Sequence, residues 1–128
     1  MDLNLKDQSV VIFGAASGIG KAIANTFTNE GCIVHASDIS TGTGIHPCDV
    51  TDLQAVESWA QSIGRVDHVI FSVGAASGKF GFPFWNLHPS DWHRVLNINL
   101  IGAVNVAHAF GPLLIQQGSG SLLFLVSI

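Results

Sequence analysis

Val10–Lys21, VVIFGAASGIGK, decides the fold. Ser9–Phe13 is short, β-branched and apolar, the pattern of a parallel strand buried on both faces. Gly14 ends it, Gly18 and Gly20 follow, and an amphipathic stretch begins at once. The order is strand, tight turn, helix. Such a turn aims unpaired backbone N–H groups and the positive end of a helix dipole at one point. An anion, most often a phosphate, is the natural occupant. A GxxxxGK[ST] phosphate loop would need glycine at 15 and Ser or Thr at 22, but Ala15 and Ala22 stand there. Lys21 therefore reads as a solvated helix residue.

The chain on either side repeats the alternation. Ile19, Ile23 and Phe27 make one helical face, and Gly31 closes that helix. Cys32–Ala36 is a second strand ending at Ser37 and Asp38. Ile39–Gly44 leads to a third short strand, Ile45–Cys48. That link is too short for a crossover helix, which needs about a dozen residues or more. Thr51 or Asp52 caps a helix over Leu53–Ile63, with Gln54 placed for a capping box from Thr51. Val56, Trp59, Ala60 and Ile63 form its apolar face. Val66–Val73 is the fourth strand, and 74–86 is a long glycine- and aromatic-rich loop. A helix capped by Ser90 runs to about Gln117, with a bend or break at Pro112. Leu122–Val126 is the fifth strand. The predicted fold is α/β: a Rossmann-like doubly wound parallel sheet in three layers, one domain over residues 1–128. Ending on a buried apolar strand would leave an open sheet edge. The chain is therefore expected to be truncated, the sheet incomplete on its C-terminal side, and the isolated piece prone to aggregate.

The bulk numbers exclude other classes. The chain has 128 residues, a net charge of −4 and only five Lys or Arg, so no basic stripe for nucleic acid exists. Charged residues are 11% of the chain, well below the usual ~25%, so much of the surface is expected to be covered. The polar start is no signal peptide, and Ile98–Ile115 is interrupted by Asn99, Asn105 and His108, which reads as a buried helix and not a membrane span. Cys32 and Cys48 read as buried thiols of a reducing cytoplasm. No metal is expected; His88 and His93, near a helix start, suit surface or capping positions. Phe80, Phe82, Phe84 and Trp85 suit an apolar substrate pocket or an interface equally.

Asp38 ends the second strand, roughly 20 residues after the glycine turn, where an acid accepts hydrogen bonds from both adenosine ribose hydroxyls. It would repel a 2′-phosphate, and no Lys or Arg adjoins it. NAD is favoured over NADP.

With these residues in place the chain resembles the N-terminal half of the short-chain dehydrogenase/reductase family over essentially its whole length. The resemblance rests on GAASGIG at 14–20, Asp38, CDVTD at 48–52, VDHVIFSVG at 66–74, NINLIG at 97–102 and GSLLFLVS at 120–127. It implies a cofactor site of Gly14, Ser17, Gly18, Ile19, Gly20, Asp38, Asp49, Val50, Ser72, Val73 and Gly74, with Asp49 and Val50 at the adenine and Ser72–Gly74 along the nicotinamide ribose. It implies catalytic roles for Ser127, which orients the reacting oxygen, and Asn99, which holds a water in the proton relay. The implied activity is hydride transfer between nicotinamide and an alcohol/ketone substrate by a homo-oligomeric cytoplasmic enzyme.

Three departures stand out. The family's Asn-Asn-Ala-Gly reads Phe71-Ser72-Val73-Gly74. The helix between the second and third strands is missing. The family's Tyr-x-x-x-Lys would lie past Ser127, and the chain contains no tyrosine. The chain alone is therefore expected to be inactive, being the cofactor-binding part of an enzyme. The alternative is a non-catalytic dinucleotide-binding or sensor module.

Overall fold

The computed structural model describes residues 3–79 and 83–127. Its sheet is five-stranded, in the order β3-β2-β1-β4-β5, and every strand pairing is parallel. The strands are β1 (Ser9–Phe13), β2 (Ile33–Asp38), β3 (Ile45–Pro47), β4 (His68–Phe71) and β5 (Ser121–Phe124). The helices are α1 (Gly18–Asn29), α2 (Leu53–Ile63), α3 (Pro89–Leu96) and α4 (Gly102–Gln117). A single 3₁₀ turn, Phe84–Asn86, precedes α3, and a π-helical turn, Asn97–Ile101, joins α3 to α4. The strand order reverses between β1 and β4, the switch point at which open α/β sheets bind ligands.

Period-two alternation divides the core. Val11, Phe13, Val69 and Phe71 face Val56, Trp59, Val106 and Phe110 of α2 and α4. Val10, Ile12 and Ile70 face the other way, toward Ala24 of α1. Phe13 meets Trp59 edge-on with ring centroids 5.2 Å apart, and Phe110 at 5.8 Å. His46 of the edge strand stacks on Trp59 at 4.8 Å. The α1 face is thinner because β2 runs into β3 without a helix; there Val34, Ala36 and Ile45 stay only partly buried.

Several local expectations are corrected. Ile19 is 65% exposed and takes no part in the α1 core. It sits in the first turn of the helix, above the end of the sheet. Of the two caps expected for α2, Asp52 is the one found, its carboxylate accepting the Ala55 N–H at 3.2 Å, so the capping box from Thr51 is the part that fails. Thr51 is unavailable because its hydroxyl is bonded to Asp49. His88, not Ser90, caps α3, with Asp91 closing a capping box. Pro112 neither breaks nor ends α4. It is exposed, so water can reach the carbonyl that its ring leaves unpaired. The long helix is buried on one side only: Val106 and Phe110 are inside, while Leu100, Val104 and Ile115 are exposed. Pro89–Gln117 is long and apolar enough to cross a membrane by length and composition, yet its inner row packs on the sheet. Cys32 is half-buried, its Sγ 3.1 Å from the Leu5 carbonyl oxygen.

At the opposite end of the sheet from the glycine turn, Asp67 accepts the Ser9 N–H at 2.9 Å and the Arg65 guanidinium at 2.8 Å. Burial acts to raise its pKa, but these donors outweigh it and hold the carboxyl below its ordinary value. The stability it contributes is present above the unfolded carboxylate pKa and is lost as pH falls through the depressed native value. Urea titrations of the unaltered chain from pH 6 down to pH 3 are expected to show a steeper loss of stability than those of Asp67→Asn.

Candidate active site

A cleft of about 630 Å³ opens at the C-terminal ends of β1, β2 and β4. All eleven residues expected at a cofactor line it: Gly14, Ser17, Gly18, Ile19, Gly20, Asp38, Asp49, Val50, Ser72, Val73 and Gly74. Asn99 stands just behind the wall. Ser127 is exposed, beyond the end of β5, and does not line the cleft.

The glycine turn is built by close approach. Gly14 has φ +83°, and a Cβ on it would lie 2.7 Å from the Ser72 carbonyl oxygen. A Cβ on Gly20 would run into the Gly14 carbonyl. Gly18 differs: its φ is +52°, and a Cβ there would have nothing within 4 Å. Gly14 and Gly20 thus let backbones touch, whereas Gly18 leaves space. The Gly14 and Ala15 N–H groups both donate to the Ser37 carbonyl at 2.9 Å. Ser17 begins α1 with an extended backbone, and its side chain makes no capping hydrogen bond. The first turn of α1 holds no acidic residue. The positive helix end therefore faces the cleft without an internal counter-charge.

Asp38 ties two loops together. Oδ2 accepts the Ala16 N–H at 3.0 Å, and Oδ1 accepts the Ser40 N–H at 2.9 Å. A carboxylate has about four acceptor sites, so about two are left for hydroxyls entering the cleft. Asp49 Oδ1 accepts both the Thr51 N–H at 2.9 Å and the Thr51 hydroxyl at 2.8 Å. Cys48 lies beside it on the cleft floor. Burial pushes its thiol pKa up, Asp49 and Asp52 add to the rise, and Ser37 opposes it.

Asn99 sits in the π-helical turn. Its Oδ1 accepts the Ala75 N–H at 2.8 Å, and its Nδ2 donates to the Ala75 carbonyl at 2.7 Å. The segment leaving β4 is thereby pinned against the helix. Arg94, Asn97 and Ile98 also line the cleft and were not anticipated from sequence. Helical spacing was the available signal, since Arg94 and Ile98 precede Gly102 in steps of about one turn. Arg94 is the one cation among the cleft-lining residues; it donates to the Ala76 carbonyl at 3.4 Å. Phe84 and Trp85 are each 72% exposed and lie outside the cleft lining, while Phe80 and Phe82 fall outside the described residues. No group of metal-ligating side chains occurs among the described residues.

Comparison with known proteins agrees with this fold. A family model described as enoyl-(acyl carrier protein) reductase matches residues 14–128. A 3-oxoacyl-[acyl-carrier-protein] reductase of Thermotoga maritima is 31% identical, over 98% of this chain and 58% of its own length. D-threitol dehydrogenase of Mycolicibacterium smegmatis is 30% identical, over 98% of this chain and 55% of its own. The ligand-free aldohexose dehydrogenase of Thermoplasma acidophilum superposes with a TM-score of 0.81 at 27% identity, covering 97% of this chain and 51% of that one. The chain thus spans about half the length of the relatives it matches.

The two kinds of glycine separate on substitution. Gly18→Ala is expected to cost about 1–2 kcal/mol, the left-handed backbone penalty alone. Gly20→Ala must also push α1 off the turn, so it should lower the urea midpoint much further. Equal midpoints for the two variants would contradict this division.

Proposed function

The chain belongs to the short-chain dehydrogenase/reductase family, and from that premise we propose that it is the cofactor-binding part of an NAD-dependent oxidoreductase acting on an alcohol/ketone pair. The observation that carries this reading is the Asp38 carboxylate, with acceptor sites to spare, sharing a cleft with the open Gly18 position.

The residues present suit a dinucleotide. Ser17, Gly18, Ile19 and Gly20 offer the pyrophosphate free N–H groups and a helix N-terminus, and Gly14, its own N–H spent on the Ser37 carbonyl, closes the turn beneath them. Asp38 accepts from the two adenosine ribose hydroxyls. A 2′-phosphate would set negative charge against this carboxylate, which is followed by Ile39 and has no cation bonded to it among the described residues. Val50 has an N–H with no acceptor among the described residues, and Asp49 has a second oxygen likewise free. A donor beside an acceptor matches the ring nitrogen and amino group of adenine. Ser72, Val73 and Gly74 line the nicotinamide ribose side.

When bound, the cofactor supplies the hydride chemistry. By resemblance to the family, Ser127 is the residue that would hydrogen-bond the reacting oxygen of the substrate, although it lies outside the cleft lining here. Asn99 holds the Ala75 segment and, by resemblance to the family, links the proton path to solvent. In the family a tyrosine is the acid/base, its pKa lowered by a nearby lysine. These 128 residues hold no tyrosine, so this chain binds cofactor without turning substrate over. Phe71, buried where the family has an amide, gives some support to a second reading, a non-catalytic dinucleotide-binding module.

Calorimetric titration is expected to show NAD binding at least about tenfold tighter than NADP. Asp38→Ala should erase most of that difference. Equal affinities in the unaltered chain would refute the assignment of Asp38. Sustained NADH oxidation by the chain with a panel of ketones would refute its inactivity.

The compartment and assembly follow the same reading. Free Cys32 and Cys48 suit the reducing cytoplasm. Trp92, Leu96, Leu100 and Val104 recur at every fourth position and are 45–55% exposed. This apolar row is proposed to join copies of the protein. Leu100→Glu is expected to shift the sedimentation profile toward monomer, and an unchanged profile would count against the row as an interface.

A further inference from the structure

Asn105 is a buried amide, 9% exposed, on the inner face of α4 between Val106 and the β3–α2 corner. Its Nδ2 donates to the Val50 carbonyl at 2.8 Å. Gly102, nearly one turn earlier, makes this possible: a Cβ there would lie 2.7 Å from Val50 Cγ2, so α4 lies flush on the corner. Val50 is itself only 5% exposed, and its carbonyl has no other donor among the described residues.

The peptide between Val50 and Thr51 is held at both ends. Asn105 holds its carbonyl, and its N–H donates to Asp49 Oδ1 at 2.9 Å. The Thr51 hydroxyl fills the same oxygen at 2.8 Å. A hydrogen-bond series therefore runs from the Asn105 amide through one peptide unit to the Asp49 carboxylate. Bonds in series polarise and orient one another. The series fixes Oδ1 and leaves Oδ2 without a partner among the described residues, on a residue that lines the cleft. Asn105 does not line the cleft.

We propose that Asn105 is a positioning residue of the purine subsite, acting through the Val50–Thr51 peptide to set the Asp49 carboxylate for the exocyclic amino group of adenine. This rests on the reading of the cleft as a dinucleotide site. The effect is one of selectivity. Without the amide the corner is free to turn, and Asp49 ceases to distinguish an amino group from a carbonyl oxygen at that position.

The test compares three ligands by calorimetry: adenosine monophosphate, inosine monophosphate, which carries oxygen in place of the amino group, and nicotinamide mononucleotide. The unaltered chain should prefer adenosine monophosphate. Asn105→Leu should weaken adenosine monophosphate about tenfold and leave the other two within about twofold. Asn105→Ala, which removes the donor without adding bulk or charge, should do the same and carries the comparison if the leucine variant fails to fold. Asn105→Gln, which keeps the donor, should retain part of the preference. An undiminished preference in the alanine variant overturns the proposal. So does an equal loss for all three ligands, which is the mark of a purely structural residue. Failure of the unaltered chain to bind any of them overturns the dinucleotide reading itself.

Discussion

Three backbones meet at the end of β1, and they can do so only because two residues lack a Cβ. Gly14 lies against the Ser72 carbonyl at the end of β4, and Gly20 lies against Gly14. On the other side the Ser37 carbonyl takes two N–H groups of the turn. The central strand is thus fastened to β2 and β4 at the height where the cleft begins. Asp38 extends the fastening by accepting the Ala16 N–H. A carboxylate bonded to the turn cannot drift from the helix end it faces. The distance between the Asp38 carboxylate and the N-terminus of α1 is therefore set by backbone contacts and by one side-chain bond.

The same sheet is covered unevenly. Alpha-helical cover on the β2–β3 side of the α1 face is missing because Ile39–Gly44 turns back directly. Asp38 Oδ1 accepts the Ser40 N–H and closes that turn locally, and Gly42 bridges back to Ile45. The spans matched in the relatives run to 145 residues against the 128 of this chain, so the alignment opens gaps within it. A missing crossover helix accounts for such gaps. Its loss leaves the cleft intact, because the corner after β3 is held from the opposite face by α4. Edge strand β3 is short and carries Pro47, which cannot offer an N–H to a further strand.

What sequence made legible was what periodicity and glycine spacing encode. The strand–turn–helix at Val10–Lys21, the doubly wound parallel sheet and the place of Asp38 follow from local pattern, whereas Asp49, Val50 and Ser72–Gly74 came only with the family resemblance. What it left hidden depends on competition between neighbours. Thr51 looked as good a cap as Asp52 until Asp49 engaged its hydroxyl. Ser90 yields its expected role to His88, whose ring accepts the Ser90 N–H at 3.3 Å. Ile19 fits an apolar helical face by spacing, yet the first turn of α1 rises above the sheet, so it faces the cleft. Arg94 falls in step with Ile98 and Gly102 by helical spacing, but which face of the helix meets the cleft depends on the π-helical turn, and spacing does not reveal that turn.

That turn explains how one helix serves several parts of the cleft. The Gly102 N–H bonds the Asn97 carbonyl, one residue beyond ordinary helical spacing. The extra residue changes the rotational phase of α3 relative to α4. Arg94 and Ile98 thereby line the cleft, Asn99 reaches Ala75, and Gly102 and Asn105 meet Val50. A regular helix would keep a single phase throughout and could not be set independently against both the β4 exit and the β3–α2 corner. The opposite side carries Leu96, Leu100 and Val104, so a load on that apolar row acts on the same rigid body that holds Ala75 and Val50. Asn99 and Asn105 are the two side chains by which this helix is attached to the cleft wall.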